Sequence, residues 1–270
     1  FRSTFSDRIS MQDNSFFYND QTSPGYYRPG VNEGGPWGGY SKVNVNVILN
    51  ENQLTIRPTL AKNHALTTIL VQGLQSSKVV GSGYMANFLP LPGLGIPGLE
   101  QGVNRGMTSY RNEDSRVWFL GRADYNFKSK YVLNASLRAE GSSKFLGNNR
   151  WGYFPSFGVA WNMDKESFMA RVKSVISSSK LRFAYGTSGN DRIGYYDAFD
   201  QLAYSRDGYP FNNSLNVGSV LNTALRNEDL RWETTTGMDL GYDIGLFKER
   251  VKLEDRKSTR LNSSHANISY

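Results

Sequence analysis

Apolar and polar residues alternate one for one through much of this chain, and the period is that of a strand. In RVWFLGRADYNF, Val117, Phe119, Gly121, Ala123, Tyr125 and Phe127 share one side, opposite Trp118, Leu120, Arg122, Asp124 and Asn126. YVLNASLRAE repeats the division, with Tyr131, Leu133, Ala135, Leu137 and Ala139 against Val132, Asn134, Ser136, Arg138 and Glu140. Only Lys128, Ser129 and Lys130 separate the two runs, so the pattern predicts a hairpin with its apolar sets on one face and its charges on the other.

Further strands follow the same grammar. KVNVNVILN sets Val43, Val45, Val47 and Leu49 against Asn44, Asn46 and Asn50, and ALTTILVQG follows a turn at Lys62, Asn63 and His64. Pro58, in QLTIRPTL, predicts a bulge or irregular pairing. Residues 151–161 turn Phe157, Val159 and Trp161 outward. KLRFAYG sets Leu181, Phe183 and Tyr185 against Arg182 and Ala184. TTTGMDLGYDIGLF sets Met238, Leu240, Tyr242, Ile244 and Leu246 against Gly237, Asp239, Gly241 and Asp243. Only 165–180 carries helical spacing, with Phe168, Val172, Val175 and Ile176 on one face, and predicts a short amphipathic helix. Short turns near 128, 162–164 and 246–250 are expected to alternate with long links at 11–40, 79–115 and 190–231.

An apolar wall of this kind packs on a second sheet in a soluble sandwich or meets lipid in a membrane barrel. The barrel is favoured because the hairpin strands have the roughly 9–11 residues that a tilted membrane strand needs. Aromatics also gather at the turn end, with Gly, Ala and Leu between, as an interfacial girdle would have it. No apolar run is long enough for a transmembrane helix.

Composition narrows the chemistry. Among 270 residues there is no Cys, which removes disulfide frameworks and thiolate metal sites. The net charge of +7 comes from Lys and Arg spread over turns and walls, not from a stripe interleaved with stacking aromatics, which argues against nucleic acid. GLGIPG at 93–98 matches a dinucleotide fingerprint, but its prolines place it in a loop. YGTSGN lacks the nucleophile-elbow spacing, and Ser177 with Lys180 is a chance S-x-x-K. His64 stands alone outside the last residues, so neither a His triad nor a His-rich metal site is expected. Asp239 and Asp243 share a face and read as a solvated lining, not a glycosidase pair. No enzyme activity and no cofactor are expected.

Residues 255–270, DRKSTRLNSSHANISY, abandon the alternation and resemble a translated sequencing adapter. The expected division is therefore a partial barrel at 1–254 and a non-native tail at 255–270. The chain also begins at Phe1 in mid-element, so it is expected to be a fragment of a longer protein.

Four blocks carry a more specific resemblance: FLGRADYNFKSKYVLNASLRAEGSSKF, NNRWGYFPSFGVAWNMDKESFM, SSKLRFAYGTSGN and LRWETTTGMDLGYDIGLFKERV. Their order and spacing over 116–251, and more loosely the stretch before them, resemble the barrel of SusC/RagA-type TonB-dependent outer-membrane transporters. The resemblance implies an all-β fold, one part of an antiparallel transmembrane barrel of about 22 strands around a plugged lumen. It implies import of oligosaccharides, peptides or other large nutrients, a SusD-like lipoprotein partner, and a TonB complex acting through a plug that this chain does not contain. A passive porin and a soluble carbohydrate-binding sandwich are the alternatives. Expected lumen-lining residues are Arg122, Asp124, Asn126, Asn134, Arg138, Glu140, Arg182, Asp239 and Asp243, with Arg122/Asp124 and Arg138/Glu140 pairing across the wall or anchoring the plug. Trp151, Tyr195, Tyr196, Tyr204, Tyr209 and Trp232 are the expected extracellular contacts.

Overall fold

Strand-period alternation becomes strand nearly everywhere. The computed structural model describes residues 1–31, 33–205 and 219–263. Its strands are β1 (Arg2–Tyr18), β2 (Trp37–Ile56), β3 (His64–Asn87), β4 (Val103–Phe127), β5 (Tyr131–Ser142), β6 (Trp151–Asn162), β7 (Ile176–Asn190), β8 (Gln201–Ser205), β9 (Ser219–Ala224), β10 (Glu233–Leu246) and β11 (Val251–Ser263). One nine-stranded sheet runs in the order β1-β2-β3-β4-β5-β6-β7-β10-β11, and β8 and β9 form a separate antiparallel pair. Among the described residues no helix is long and apolar enough to cross a membrane.

The chain separates into two compact units. The larger, Phe1–Thr4, Asn50–Leu74 and Ser115–Tyr270, holds β5 to β11 and part of each earlier strand. Here the predicted hairpin forms, with Phe127 opposite Tyr131 and Arg122 opposite Ser136. Its turn places Lys128 and Ser129 at φ 54 and 55, the left-handed region that a two-sided tight turn demands. Asn126 makes that tolerable by accepting the Ser129 N–H through Oδ1 at 2.9 Å.

The smaller unit, Phe5–Leu49 and Gln75–Asp114, contains most of the two stretches expected to be long links, 11–40 and 79–115. Much of both is strand: β1 continues to Tyr18, β3 to Asn87, and β4 begins at Val103. β3 and β4 reach 24 and 25 residues, more than twice what a bilayer crossing requires. Glycines and polar residues at 79–87 and 103–115 disguised them as loop. Here Ala86, Leu89 and Leu99 form a small core with Phe17, Tyr84 and Ile96 around it. GLGIPG is a loop with two short 3-10 turns, Pro92–Leu94 and Ile96–Gln101, with Gly95 at φ 60 between them.

Three other expectations need correction. Residues 165–180 form no α-helix: 3-10 turns at Met163–Lys165 and Ser167–Val172 precede β7, which starts at Ile176. Phe168, Val172 and Val175 stay exposed, so a helix would have had no core to bury its stripe in, while Ile176, Ser178 and Ser179 are taken up by the ladder with β10. The connection after β6 is accordingly 163–175, not a tight turn at 162–164. Pro58 interrupts nothing, because β2 ends at Ile56. Pro155 does sit inside β6, but where the ladder to β7 stops at Ser156, so its missing N–H leaves no partner short.

Candidate functional site

The larger unit presents two faces of opposite chemistry, and register fixes what stands in each row. On the apolar face, Tyr125, Leu133, Val159, Phe183 and Leu240 lie in one cross-strand row, and Ala123, Ala135, Phe157, Tyr185 and Met238 in the next. This face is uncovered among the described residues: Leu137 is 50% exposed and Leu240 52%. A protein core is close-packed and leaves no such wall bare.

Aromatic belts bound that face at both ends. At the short-turn end Tyr131 stacks between Phe127 at 6.3 Å and Trp161 at 6.4 Å, and Phe168 meets Trp161 edge-on at 6.3 Å. His64 joins this belt, with Nδ1 2.7 Å from the Tyr125 hydroxyl and its ring 4.6 Å from Phe127. At the other end Phe119 stacks with Trp151 at 6.4 Å, and Tyr153 stands 65% exposed. Along β6, Tyr153 and Trp161 are separated by eight steps of ~3.3 Å, about 26 Å along the strand, which at a barrel tilt of about 40° is roughly 20 Å of height and fits within the roughly 25 Å apolar band of an outer-membrane barrel.

The opposite face carries every charge expected there, but the pairs form along strands. Arg122 grips Asp124 with two bonds of 2.8 Å, and Arg138 Nε meets Glu140 at 2.7 Å. The expected pairing of one couple with the other across β4 and β5 does not occur, because residues two apart on one strand lie closer than the couples do: Leu120 faces Arg138 and Asp124 faces Asn134. Arg138 lies 5.3 Å above the Trp118 ring, which rests flat on Gly73, where a Cβ would come within 2.1 Å of it. Asn134 covers Gly158 in the same manner, and Ser136 bonds Ser156 at 2.7 Å. Arg182 joins Asp243 at 2.9 Å and also Glu254. Asp239 is reached at 2.8 Å by Arg256, which belongs to the 255–270 stretch expected to be non-native, so that pair does not count towards the wall. Asn126 serves the turn. Asp239 apart, the charges of the polar wall are therefore compensated in pairs.

The extracellular candidates separate. Trp151 belongs to the aromatic belt of the apolar face. Trp232 is 7% exposed and forms a core with Phe145, Leu146, Phe154, Ala198 and Leu230, its Nε1 donating to the Arg150 carbonyl at 3.0 Å. That burial removes it from any contact surface. Tyr195 has the Lys144 ammonium 5.3 Å from its ring, and the exposed Tyr196 meets Phe199 edge-on at 6.3 Å. Tyr204 lies in β8, and its side chain, like all of Tyr209, falls outside the described residues.

Two clusters were missed from sequence. Asp191, its side chain 6% exposed, receives Arg116 at 2.8 Å and the Ser142 hydroxyl at 3.0 Å, while Lys144 Nζ donates to the Ile193 carbonyl at 3.0 Å. With the Trp232 core this ties both ends of the 191–232 segment to the β5–β6 connection. The signal was Phe154: a large ring at a polar-face parity, seated between Gly152 and Gly189, whose added Cβ atoms would lie 2.4 and 2.0 Å from it. At the other rim Glu166 accepts from Lys130 Nζ at 2.8 Å, the Tyr131 hydroxyl at 2.8 Å and Trp161 Nε1 at 3.2 Å. Those donors, Lys130 foremost, hold its carboxyl down at about 2. Among the described residues no three His, Cys, Asp or Glu side chains gather as metal ligands.

An antiparallel wall of long strands with one bare apolar face, an aromatic belt at each end and paired charges opposite defines part of a transmembrane β-barrel. Residues 1–254 match the family model described as TonB dependent receptor-like, beta-barrel, and the chain belongs to that family. It is 33% identical over 258 residues to TonB-dependent receptor P3 of Formosa agariphila, covering 92% of this chain and 25% of that protein. It is also 33% identical over 150 residues to TonB-dependent receptor SusC of Bacteroides thetaiotaomicron, covering 54% of this chain and 15% of that one. The RagAB peptide transporter superposes with a TM-score of 0.77 at 20% identity, over 96% of this chain and 27% of that one, which establishes the shared fold. The chain thus spans about a quarter of the length of the relatives it matches most fully. Proteins of this family are outer-membrane receptors and not enzymes, and the outer membrane is the location of this one.

Proposed function

We propose that this chain is a section of the barrel wall of a SusC-like importer that carries large polar nutrients, oligosaccharides or peptides, across the outer membrane with energy from TonB. The observation that carries this is the pairing of an uncovered apolar face, its aromatic belts about 26 Å apart along the tilted strand, with a polar face of paired charges. A conduit needs an inner lining that attracts water without trapping cargo, and paired charges provide one. Arg122, Asp124, Asn134, Arg138, Glu140, Arg182, Asp239 and Asp243 line the lumen in this reading, and Asn126 shapes the turn at its edge. Tyr195 and Tyr196, at the long-connection rim, face cargo or a SusD-like lipoprotein. The peptide named for RagAB makes peptides one candidate cargo, and the resemblance to SusC-type importers keeps oligosaccharides as the other.

Uptake by cells expressing the full-length transporter tests this. Labelled oligosaccharide or peptide should accumulate in cells with intact TonB and fail to do so when TonB is deleted. Accumulation that survives the deletion would mark a passive pore instead.

Residues 255–270 are read as foreign to the barrel. Val251 and Leu253 continue the apolar face opposite Leu246 and Ile244, but the next residues at that parity, Asp255 and Lys257, oppose Tyr242 and Leu240. Two charges on the lipid wall contradict every neighbouring strand. The intact mass of the native protein, read against its genomic sequence, decides the point: Asp255 and Lys257 in the mature protein would overturn it.

A further inference from the structure

Beside the upper aromatic belt the larger unit contains a groove of about 290 Å³. Its floor is the last row of the apolar face, Val117, Gly141 and Trp151, continued by Leu74 on β3. Polar residues complete it: Ser115, Ser142, Ser143 and Arg150. Arg116 also borders it but is engaged by Asp191 at 2.8 Å, so Arg150 supplies the positive charge. Arg150 ends a short 3-10 turn, is exposed, and is held in place by donating Nε to the Phe145 carbonyl at 3.1 Å.

The groove thus brings the last row of the lipid-facing wall together with polar side chains and a guanidinium. It continues a face that meets acyl chains, and it lies at the long-connection end, which in outer-membrane barrels is extracellular. A planar guanidinium is matched to phosphate. We propose that the groove holds a phosphorylated lipid of the outer leaflet, its phosphate on Arg150 and an acyl chain along Leu74, Val117 and Trp151. The argument rests on the apolar face meeting lipid. Gly141 keeps the floor level, since a Cβ there would press on Val117 at 3.3 Å and Trp151 at 3.4 Å.

Native mass spectrometry of the full-length transporter in detergent, titrated with bisphosphorylated lipid A, tests the proposal. The wild type should retain the lipid, and R150Q should lose affinity by about tenfold or more, the scale of one charge-assisted contact. R150K should recover part of it. Lys165→Gln, which removes a positive charge from the opposite rim, should change nothing. Dephosphorylated lipid A should bind the wild type as weakly as the phosphorylated form binds R150Q, and millimolar inorganic phosphate should not displace bound lipid.

Equal retention by R150Q and the wild type, or by the two lipids, would overturn the site, as would displacement by inorganic phosphate alone. Should R150Q fail to fold, the comparison of the two lipids on the wild type decides. Failure of the underlying orientation is distinguishable: the wild-type protein would then leave the membrane fraction and lose its heat-modifiable gel shift, whereas failure of the site alone would leave both intact.

Discussion

Consider Met238→Arg. Met238 lies on the apolar face opposite Tyr185, and Tyr185 in turn opposes Phe157. Phe157 is four residues from both Tyr153 and Trp161 on β6, so the row lies about 13 Å along the strand from either belt, at the middle of the apolar band. Leu240, one alternation nearer the short-turn belt, and Leu137, one nearer the other, flank it at about 7 Å. Arginine at the midplane of a barrel costs roughly 2–4 kcal/mol, falling to about 0–1 near the interfaces. Met238→Arg should therefore lower the folded-to-unfolded ratio in vesicles by about 30- to 700-fold, Leu240→Arg and Leu137→Arg by less, and Tyr153→Arg by under about tenfold. Equilibrium urea titration of the full-length protein in lipid vesicles, read by heat-modifiable mobility, measures the series. A flat profile, with Met238→Arg no worse than Tyr153→Arg, would refute the assignment of that face to hydrocarbon.

Other consequences concern the rims. Trp232→Ala should cost about 3–5 kcal/mol locally by emptying the core over Phe145 and Phe154, seen as faster proteolysis within 191–232 while the barrel's gel shift persists. Gly189→Ala drives a Cβ into Phe154 and should destabilise by roughly 1–3 kcal/mol, with Phe154→Leu in the same protein recovering most of the loss in Tm. Glu166, held at about 2, stabilises the fold fully above its ordinary carboxylate range near 4.5 and less as pH falls through its folded value. The Tm gap between wild type and E166Q should thus be widest near pH 6 and shrink towards pH 2, and a gap independent of pH would contradict the clasp. Arg122→Ala breaks a half-exposed pair and should change stability by only about 0–1 kcal/mol, measured in the same urea titration.

Much of the wall was legible because strand alternation needs no tertiary information. The 116–140 hairpin and its two faces follow from side-chain parity and a short turn at 128–130. The charge partners were not legible: parity places Arg122, Asp124, Arg138 and Glu140 on one face but cannot say whether an arginine reaches across or along. In the smaller unit the KVNVNVILN strand was read, but the 79–87 and 103–115 parts of β3 and β4 were not, since Gly81, Gly83 and Gly106 dilute the alternation. Gly81 is strand all the same because the Tyr110 ring lies over it, a contact visible only once β3 and β4 are paired. Trp232 looked like a contact residue because a tryptophan beside a long connection fits a binding surface and a loop core equally well. The helical spacing at 165–180 failed because a stripe forms a helix only when something is present to bury it.

The most direct test of the central claim is a nitroxide scan along β5, placing labels singly at positions 131 to 140 of the full-length transporter in vesicles. Oxygen, which concentrates in hydrocarbon, should relax labels at 133, 135 and 137 most strongly. A water-soluble nickel chelate should do so at 134, 136 and 138, giving two opposed oscillations of period two. Labels at 133, 135 and 137 that are immobile and shielded from both reagents would show that face sealed beneath protein, and the membrane account would fail.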